Sequence, residues 1–141
     1  MSVDSGRYRE VLKRIHPGTL AQDDADTIVE LAQLAVDADG QEDAGEVAVF
    51  FALGKAVYAL AGADETPSPA MSALDEAEER VLELAAKLKA PASREVAYAV
   101  VLLMTTADAR VVPEEQQFLQ LVKRALGVTD DRAAALATTL Q

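Results

Sequence analysis

Cysteine is absent from the chain, and histidine occurs once. The absence of cysteine excludes disulfides, thiolate metal sites, iron–sulfur clusters and cysteine nucleophiles. The single histidine, His16, precedes Pro17 at the end of a predicted helix, and no nucleophile is visibly paired with it. No Gly-x-Ser-x-Gly elbow occurs either. These absences favour a protein that is not an enzyme.

Aromatic residues are also few, with no Trp, three Phe and three Tyr. Half of the sequence is nevertheless hydrophobic, and Ala, Leu and Val supply most of that half. Small and unbranched apolar residues suit closely packed helices better than a sheet. No segment shows sustained period-two alternation. A length of 141 residues is typical of one domain. We therefore expect a single compact all-α domain spanning residues 1–141.

Positive charge is scarce, because 13 Lys and Arg face 24 Asp and Glu, which gives a net charge of −11. Binding to phosphate backbones or to anionic lipid surfaces needs clustered cations. The composition therefore argues against a nucleic-acid or membrane-surface partner. A cation or a partner with a basic surface fits better, although acidity can also serve solubility alone.

Long hydrophobic runs are missing as well. The most apolar stretch is 47–63, and Lys55 interrupts it. It falls short of the roughly 18–20 residues that a membrane span needs. Residues 1–14 mix charged and apolar side chains and lack the continuous apolar core of a signal peptide. We expect no membrane insertion and a cytoplasmic location.

The apolar periodicity predicts seven helices. They cover about 8–15, 24–38, 43–61, 73–89, 94–107, 113–126 and a last helix that follows Thr129. Ser72, Ser93 and Thr129 are the expected N-caps, and Gly127 is the expected residue after the sixth helix. The third helix is apolar nearly all round and is expected to be the central buried one, with the fifth as the second. Gly62–Ser72 contains two prolines and is the expected linker between two halves.

Two helix–loop–helix units have related sequences. The first contains Ala38-Asp39-Gly40 and then Glu46, and the second contains Ala107-Asp108 and then Glu115. In each unit the Glu follows the Asp by seven residues, and the two units are offset by 69 residues (108 − 39). The chain is therefore expected to contain two pseudo-repeated halves.

The acidic residues of these units lie where a helix dipole disfavours them. Asp37 and Asp39 end the second predicted helix, and Asp108 ends the fifth. A carboxylate at a helix C-terminus costs roughly 0.3–1 kcal/mol. A divalent cation would offset this cost, since hard cations take oxygen ligands. The alternative is that the Asp side chains only accept hydrogen bonds within their own turns. The candidate metal ligands are Asp37, Asp39, Glu46, Asp108 and Glu115.

The paired Ala-Asp-Gly … Glu pattern resembles that of the TerB-like (tellurite-resistance B) family over residues 20–140. The first copy has Glu42 where an aliphatic residue is usual, and the second has Ala109 in place of Gly. The resemblance implies an all-α fold built from two related helical halves. It also implies an acidic site associated with a divalent metal ion, and a link to tellurite or other stress responses.

Other hypotheses compete with this one. A calcium-binding EF-hand loop starting at Asp37 fails, because its sixth position is Glu42 and its twelfth is Ala48. The glycine spacing of Gly40–Gly45 suggests a phosphate loop, but Glu46 stands where a Lys is needed. A metal-dependent hydrolase using the same carboxylates is a further alternative. The main alternative is a metal-free scaffold that meets a basic partner through Asp75, Glu76, Glu79 and Glu83.

Overall fold

The computed structural model describes residues 5–37, 44–62, 77–106 and 113–139. All regular structure in these ranges is helical, which confirms the expected all-α class. The seven helices are α1 (Ser5–Ile15), α2 (Gln22–Asp37), α3 (Ala44–Leu60), α4 (Ala77–Lys87), α5 (Pro91–Thr106), α6 (Pro113–Leu126) and α7 (Asp130–Thr139). Ser72 and the rest of the expected linker after Gly62 lie outside the described residues.

Local sequence signals explain several helix ends. Pro113 opens α6 at the first helical position, where the missing N–H is not needed. Gly127 follows α6 with a φ of 71°. The Gly127 and Val128 N–H groups bond back to the carbonyls of Arg124 and Lys123, which is the Schellman pattern. The Thr129 hydroxyl accepts the Arg132 N–H at 3.2 Å and caps α7 as expected.

The expected start of the fifth helix is wrong. Ser93 is not its cap, because α5 begins at Pro91 and Ser93 lies within the first turn. Pro91 takes the first helical position, which its fixed φ favours. The Ser93 hydroxyl is free to point away from its own helix, and it donates to Asp24 of α2 at 2.8 Å.

The centre of the molecule also differs from the expectation. α3 is not the central helix, because Ala48 and Lys55 are exposed and Phe51 is only partly buried. α2 and α5 occupy the centre instead, and each packs against several other helices. The expectation for α5 is confirmed, since Val96–Val101 is buried without a break. One continuous apolar cluster joins all seven helices into a single compact domain.

The two central helices run parallel. The Ser93–Asp24 bond joins the first turn of α5 to the first turn of α2, and the two helices pack against each other. The helices on either side run the opposite way. The N–H of Leu20, just before α2, donates to the last carbonyl of α3, on Leu60. Arg94 in the first turn of α5 donates to the last carbonyl of α6, on Leu126.

The packing is pseudo-twofold symmetric. α1 packs on α3 as α4 packs on α6, and α2 packs on α3 as α5 packs on α6. Across the centre, α1 contacts α5 as α4 contacts α2, and α3 contacts α5 as α6 contacts α2. The residues joined at the centre, Asp24 and Ser93, are themselves 69 positions apart. This separation equals the offset of the sequence repeat, so α1–α3 and α4–α6 are two copies of one three-helix unit.

The left-handed backbone at Gly127 gives a stability prediction. Replacing Gly127 by Ala should lower the free energy of unfolding by about 1–2 kcal/mol, because the φ of 71° disfavours any Cβ. The new Cβ would meet only the Arg94 guanidinium at 3.7 Å, so the loss comes from the backbone. Urea denaturation monitored by circular dichroism measures it. Gly18→Ala is the control, because a Cβ there meets His16 at an ordinary 3.6 Å. Equal stability of the two variants would contradict the left-handed backbone conformation at Gly127.

Candidate functional site

The five candidate metal ligands fall at two helix junctions. Asp37 is the last residue of α2, Glu46 is the third residue of α3, and Glu115 is the third residue of α6. Asp39 and Asp108 lie in the connections 38–43 and 107–112, outside the described residues. The side chains of Asp37, Glu46 and Glu115 also lie outside the described part. The backbone placement of the junctions is therefore what the structure contributes.

The parallel arrangement brings both junctions to the same end of the bundle. α2 and α5 are 16 residues long each, and their first turns are hydrogen-bonded to each other. Helices of equal length that start side by side and point the same way have their last turns towards the same end of the bundle, about 24 Å further along at 1.5 Å per residue. Asp37 and Thr106 therefore mark one end of the bundle, and both junctions leave from it. We call this end the junction end.

Helix ends and carboxylates contribute charge separately at the junction end. α1, α4 and α6 carry Lys or Arg in their last turns, as the dipole favours, but α2 and α5 carry none. The C-termini of α2 and α5, each equivalent to roughly half a negative charge, point to this end, and the N-termini of the antiparallel α3 and α6 offset them there. Glu46 and Glu115 belong to the first turns of α3 and α6. Any attraction of this end for a cation therefore comes from its carboxylates and not from the helix dipoles.

At the opposite end of the bundle, where α2 and α5 begin, acidic side chains accept hydrogen bonds from other helices. Asp24 accepts the Ser93 hydroxyl, and Asp26 accepts the Tyr58 hydroxyl at 2.9 Å. Glu30, further along α2, is paired with Arg80. Among the described residues no cluster of three or more Asp, Glu or His could hold a metal ion. These carboxylates hold helices together, so the described acids do not compete with the junction end as a metal site.

The pKa shifts at the described residues have structural causes. A hydrogen bond from Lys123 lowers the pKa of Asp130, and a hydrogen bond to Glu95 raises the pKa of Arg132. Burial raises the pKa of Tyr98 above its usual value. Asp130 therefore stabilises the folded state above its unfolded pKa, and this contribution is lost as the pH falls through the lowered folded pKa. Each shift has a surface ion pair or burial as its cause, and none indicates an acid–base pair.

Sequence reasoning missed the residues that organise the start of α5. The Arg94 guanidinium donates from Nε to the Leu88 carbonyl at 2.5 Å and from Nη1 to the Leu126 carbonyl at 3.3 Å. One side chain thus caps the C-terminal ends of α4 and α6. The Ser93–Asp24 bond was within reach of the sequence, because the two residues occupy the same position of the 69-residue repeat. Nothing in the local sequence marks Arg94.

Comparison with protein-family models, with curated proteins and with solved structures gives no match in any of the three. The functional argument therefore depends on the residues and geometry of this chain. Within the described ranges, no helix is both long and apolar enough to cross a membrane.

The Ser93–Asp24 bond gives a test of the parallel helix pair. Ser93 is only 3% exposed, so Ser93→Ala should lower the free energy of unfolding by about 1.5–3 kcal/mol, the range for a hydrogen bond to a charged group. In an Asp24→Ala background the same change should cost much less, because the acceptor is already gone. Chemical denaturation of the parent protein, the two single variants and the double variant completes this double-mutant cycle.

The matched control for this cycle is Thr138→Ala, which removes an exposed hydroxyl bonded to a carbonyl of its own helix. It should change stability by less than about 0.5 kcal/mol in either background. A Ser93 effect that is the same with and without the Asp24 carboxylate would show that the bond does not join α2 to α5.

Proposed function

We propose that the protein is a non-enzymatic, TerB-like module that binds a divalent cation at the junction end and acts in a tellurite or related stress response in the cytoplasm. Asp37, Asp39, Glu46, Asp108 and Glu115 would supply the ligands. The observation that supports the proposal is the packing of α2 against α5 with their first turns hydrogen-bonded, because both helices then point towards the same end of the molecule.

The charges of the junctions support this proposal. Carboxylates that lie close together repel one another, and the two junctions contain five of them. Ca²⁺ and Mg²⁺ take oxygen ligands from carboxylates, backbone carbonyls and water, and all three are available at helix junctions. A cation bound between the junctions would relieve the repulsion in the folded state alone. Metal should therefore stabilise the fold as well as occupy the site.

Thermal unfolding tests the cation directly. Chelator-treated protein should melt several degrees higher in one of calcium, magnesium, manganese or zinc, because a ligand at 100 times its Kd adds about 2.7 kcal/mol to the native state. Asp39→Asn with Asp108→Asn should abolish this rise. Isothermal titration of the same metal should show saturable binding to the parent protein and none to the double variant.

The matched control is Glu10→Gln with Asp131→Asn, which removes the same charge from exposed described residues outside any metal-holding cluster. This control should keep the full rise in melting temperature. The proposed cation site would be excluded if no metal raised the melting temperature, or if both double variants lost the rise equally. Asp39 and Asp108 would then only accept hydrogen bonds within their own turns.

One exposed helix face supports a second candidate function, the metal-free scaffold for a basic partner. Leu82 on α4 is 52% exposed and is the only exposed large hydrophobic side chain among the described residues. Exposed Glu78 and Glu79 lie four and three residues before it, on the same helix face, and exposed Glu83 is the next residue along the helix. Of these, Glu83 is paired with Arg80 at 2.9 Å. Asp75 and Glu76, expected on the same face, lie outside the described residues. An apolar residue ringed by carboxylates suits a cationic amphipathic helix.

An amphipathic Leu/Lys peptide is the probe for this face. Leu82→Ser should weaken its binding about tenfold in fluorescence anisotropy, because one buried Leu contributes roughly 1.5–3 kcal/mol. Ala134→Ser changes an exposed position on α7 and should leave the affinity unchanged. Identical affinities for the two variants would show that the peptide binds by charge alone and would exclude the scaffold interpretation of α4.

A further inference from the structure

A cleft of about 310 Å³ opens at the end of the bundle away from the junctions. It lies where the end of α4, the first turn of α5 and the turn between α6 and α7 meet. Its apolar lining comes mainly from Pro91 and Val128, and its charged lining comes from Lys89, Arg94, Glu95 and Arg132. Its volume is at the lower end of the range for small-molecule sites. We call it the α5 cleft.

The charge of the α5 cleft is opposite to that of the protein. Three cationic side chains line it against one carboxylate, in a chain whose net charge is −11. That carboxylate, on Glu95, is engaged by Arg132 through Nε and through Nη2, the latter at 2.9 Å. Lys89 and Arg94 make no ion pair with any described carboxylate, and Lys89 also borders a neighbouring cleft lined by Asp23, Asp24 and Asp26.

Arg94 is held rigidly in the lining. Its bonds to the carbonyls of Leu88 and Leu126 fix the guanidinium between two helix ends, and the side chain is partly buried. Those carbonyls lie at helix C-termini, whose dipoles offset part of the positive charge, but no carboxylate of the described residues pairs with Arg94. A guanidinium already fixed by the protein loses little entropy when it binds an anion, and its planar fork matches a carboxylate.

We propose that the α5 cleft binds a small organic carboxylate with an apolar body. The carboxylate lies between Lys89 and Arg94, and the apolar body packs against Pro91 and Val128. Apolar walls with a few convergent charges are typical of small-ligand sites, where the walls give affinity and the charges give orientation. The site is independent of the proposed cation site, which lies at the junction end.

Benzoate is the probe, and two-dimensional NMR of the ¹⁵N-labelled protein follows the Gly127, Val128 and Thr129 amides. Benzoate should give saturable shifts confined to the cleft. Benzamide, which has the same shape without the charge, and inorganic phosphate, which has charge without the apolar body, should both bind at least about tenfold more weakly. Linear shifts, or phosphate binding as tight as that of benzoate, would overturn the proposal.

Variants separate the site from general charge effects. Lys89→Gln should weaken benzoate at least about threefold, and Glu95→Gln should tighten it by a similar factor because it removes the carboxylate in the lining. A gain in affinity cannot arise from loss of folding. Lys55→Gln removes one charge from an exposed site on α3 and is the matched control. If Lys89→Gln and Glu95→Gln both bind like Lys55→Gln, the charged lining does not recognise the ligand and the proposal fails.

Discussion

The parallel contact between α2 and α5 is the constraint on which the rest of the structure depends. Parallel neighbours cannot be joined by a short turn, so the chain must return along the bundle before the second helix begins. α3 makes that return, and α4 repeats the direction of α1. Arg80 near the start of α4 pairs with Glu30 midway along α2, and Leu88 just after α4 bonds to the first turn of α5.

This topology separates the end of α3 from the start of α4. α3 ends beside the start of α2, as the Leu20–Leu60 bond shows, and α4 runs towards the same end. The start of α4 therefore lies about one length of α4 from that end, which is about 16 Å for eleven helical residues. The two halves can then adopt the same three-helix arrangement.

Signals carried by a few neighbouring residues made the helices predictable. Pro113, Gly127 and Thr129 each act through their own backbone or cap chemistry, and all three occupy the expected positions. The expectations failed where a neighbouring helix decides the outcome. Ser93 has the chemistry of a cap, but a carboxylate on α2 takes its hydroxyl. α3 is apolar nearly all round, yet burial depends on which face contacts another helix, and Lys55 lies on a face that no other described element covers.

The candidate site was less predictable from the sequence than the helices were. The spacing of Asp39, Glu46, Asp108 and Glu115 in the sequence indicates two related junctions, but spacing cannot say whether two junctions share one end of a bundle. That depends on the direction of α5 relative to α2, which the Ser93–Asp24 contact sets. The α5 cleft could not be predicted at all, because its lining comes from the ends of three helices that are distant along the chain.

The two halves differ in the group that caps the last carbonyl of their third helix. The last carbonyl of α3, on Leu60, accepts a backbone N–H from Leu20. The last carbonyl of α6, on Leu126, accepts the Arg94 guanidinium instead. A backbone donor adds no charge, whereas Arg94 brings a full positive charge to the end of the bundle. A side-chain cap in place of a backbone cap thus puts a cationic group beside the α5 cleft in the second copy of the unit. At the corresponding carbonyl of the first copy, on Leu60, the cap is a neutral N–H group.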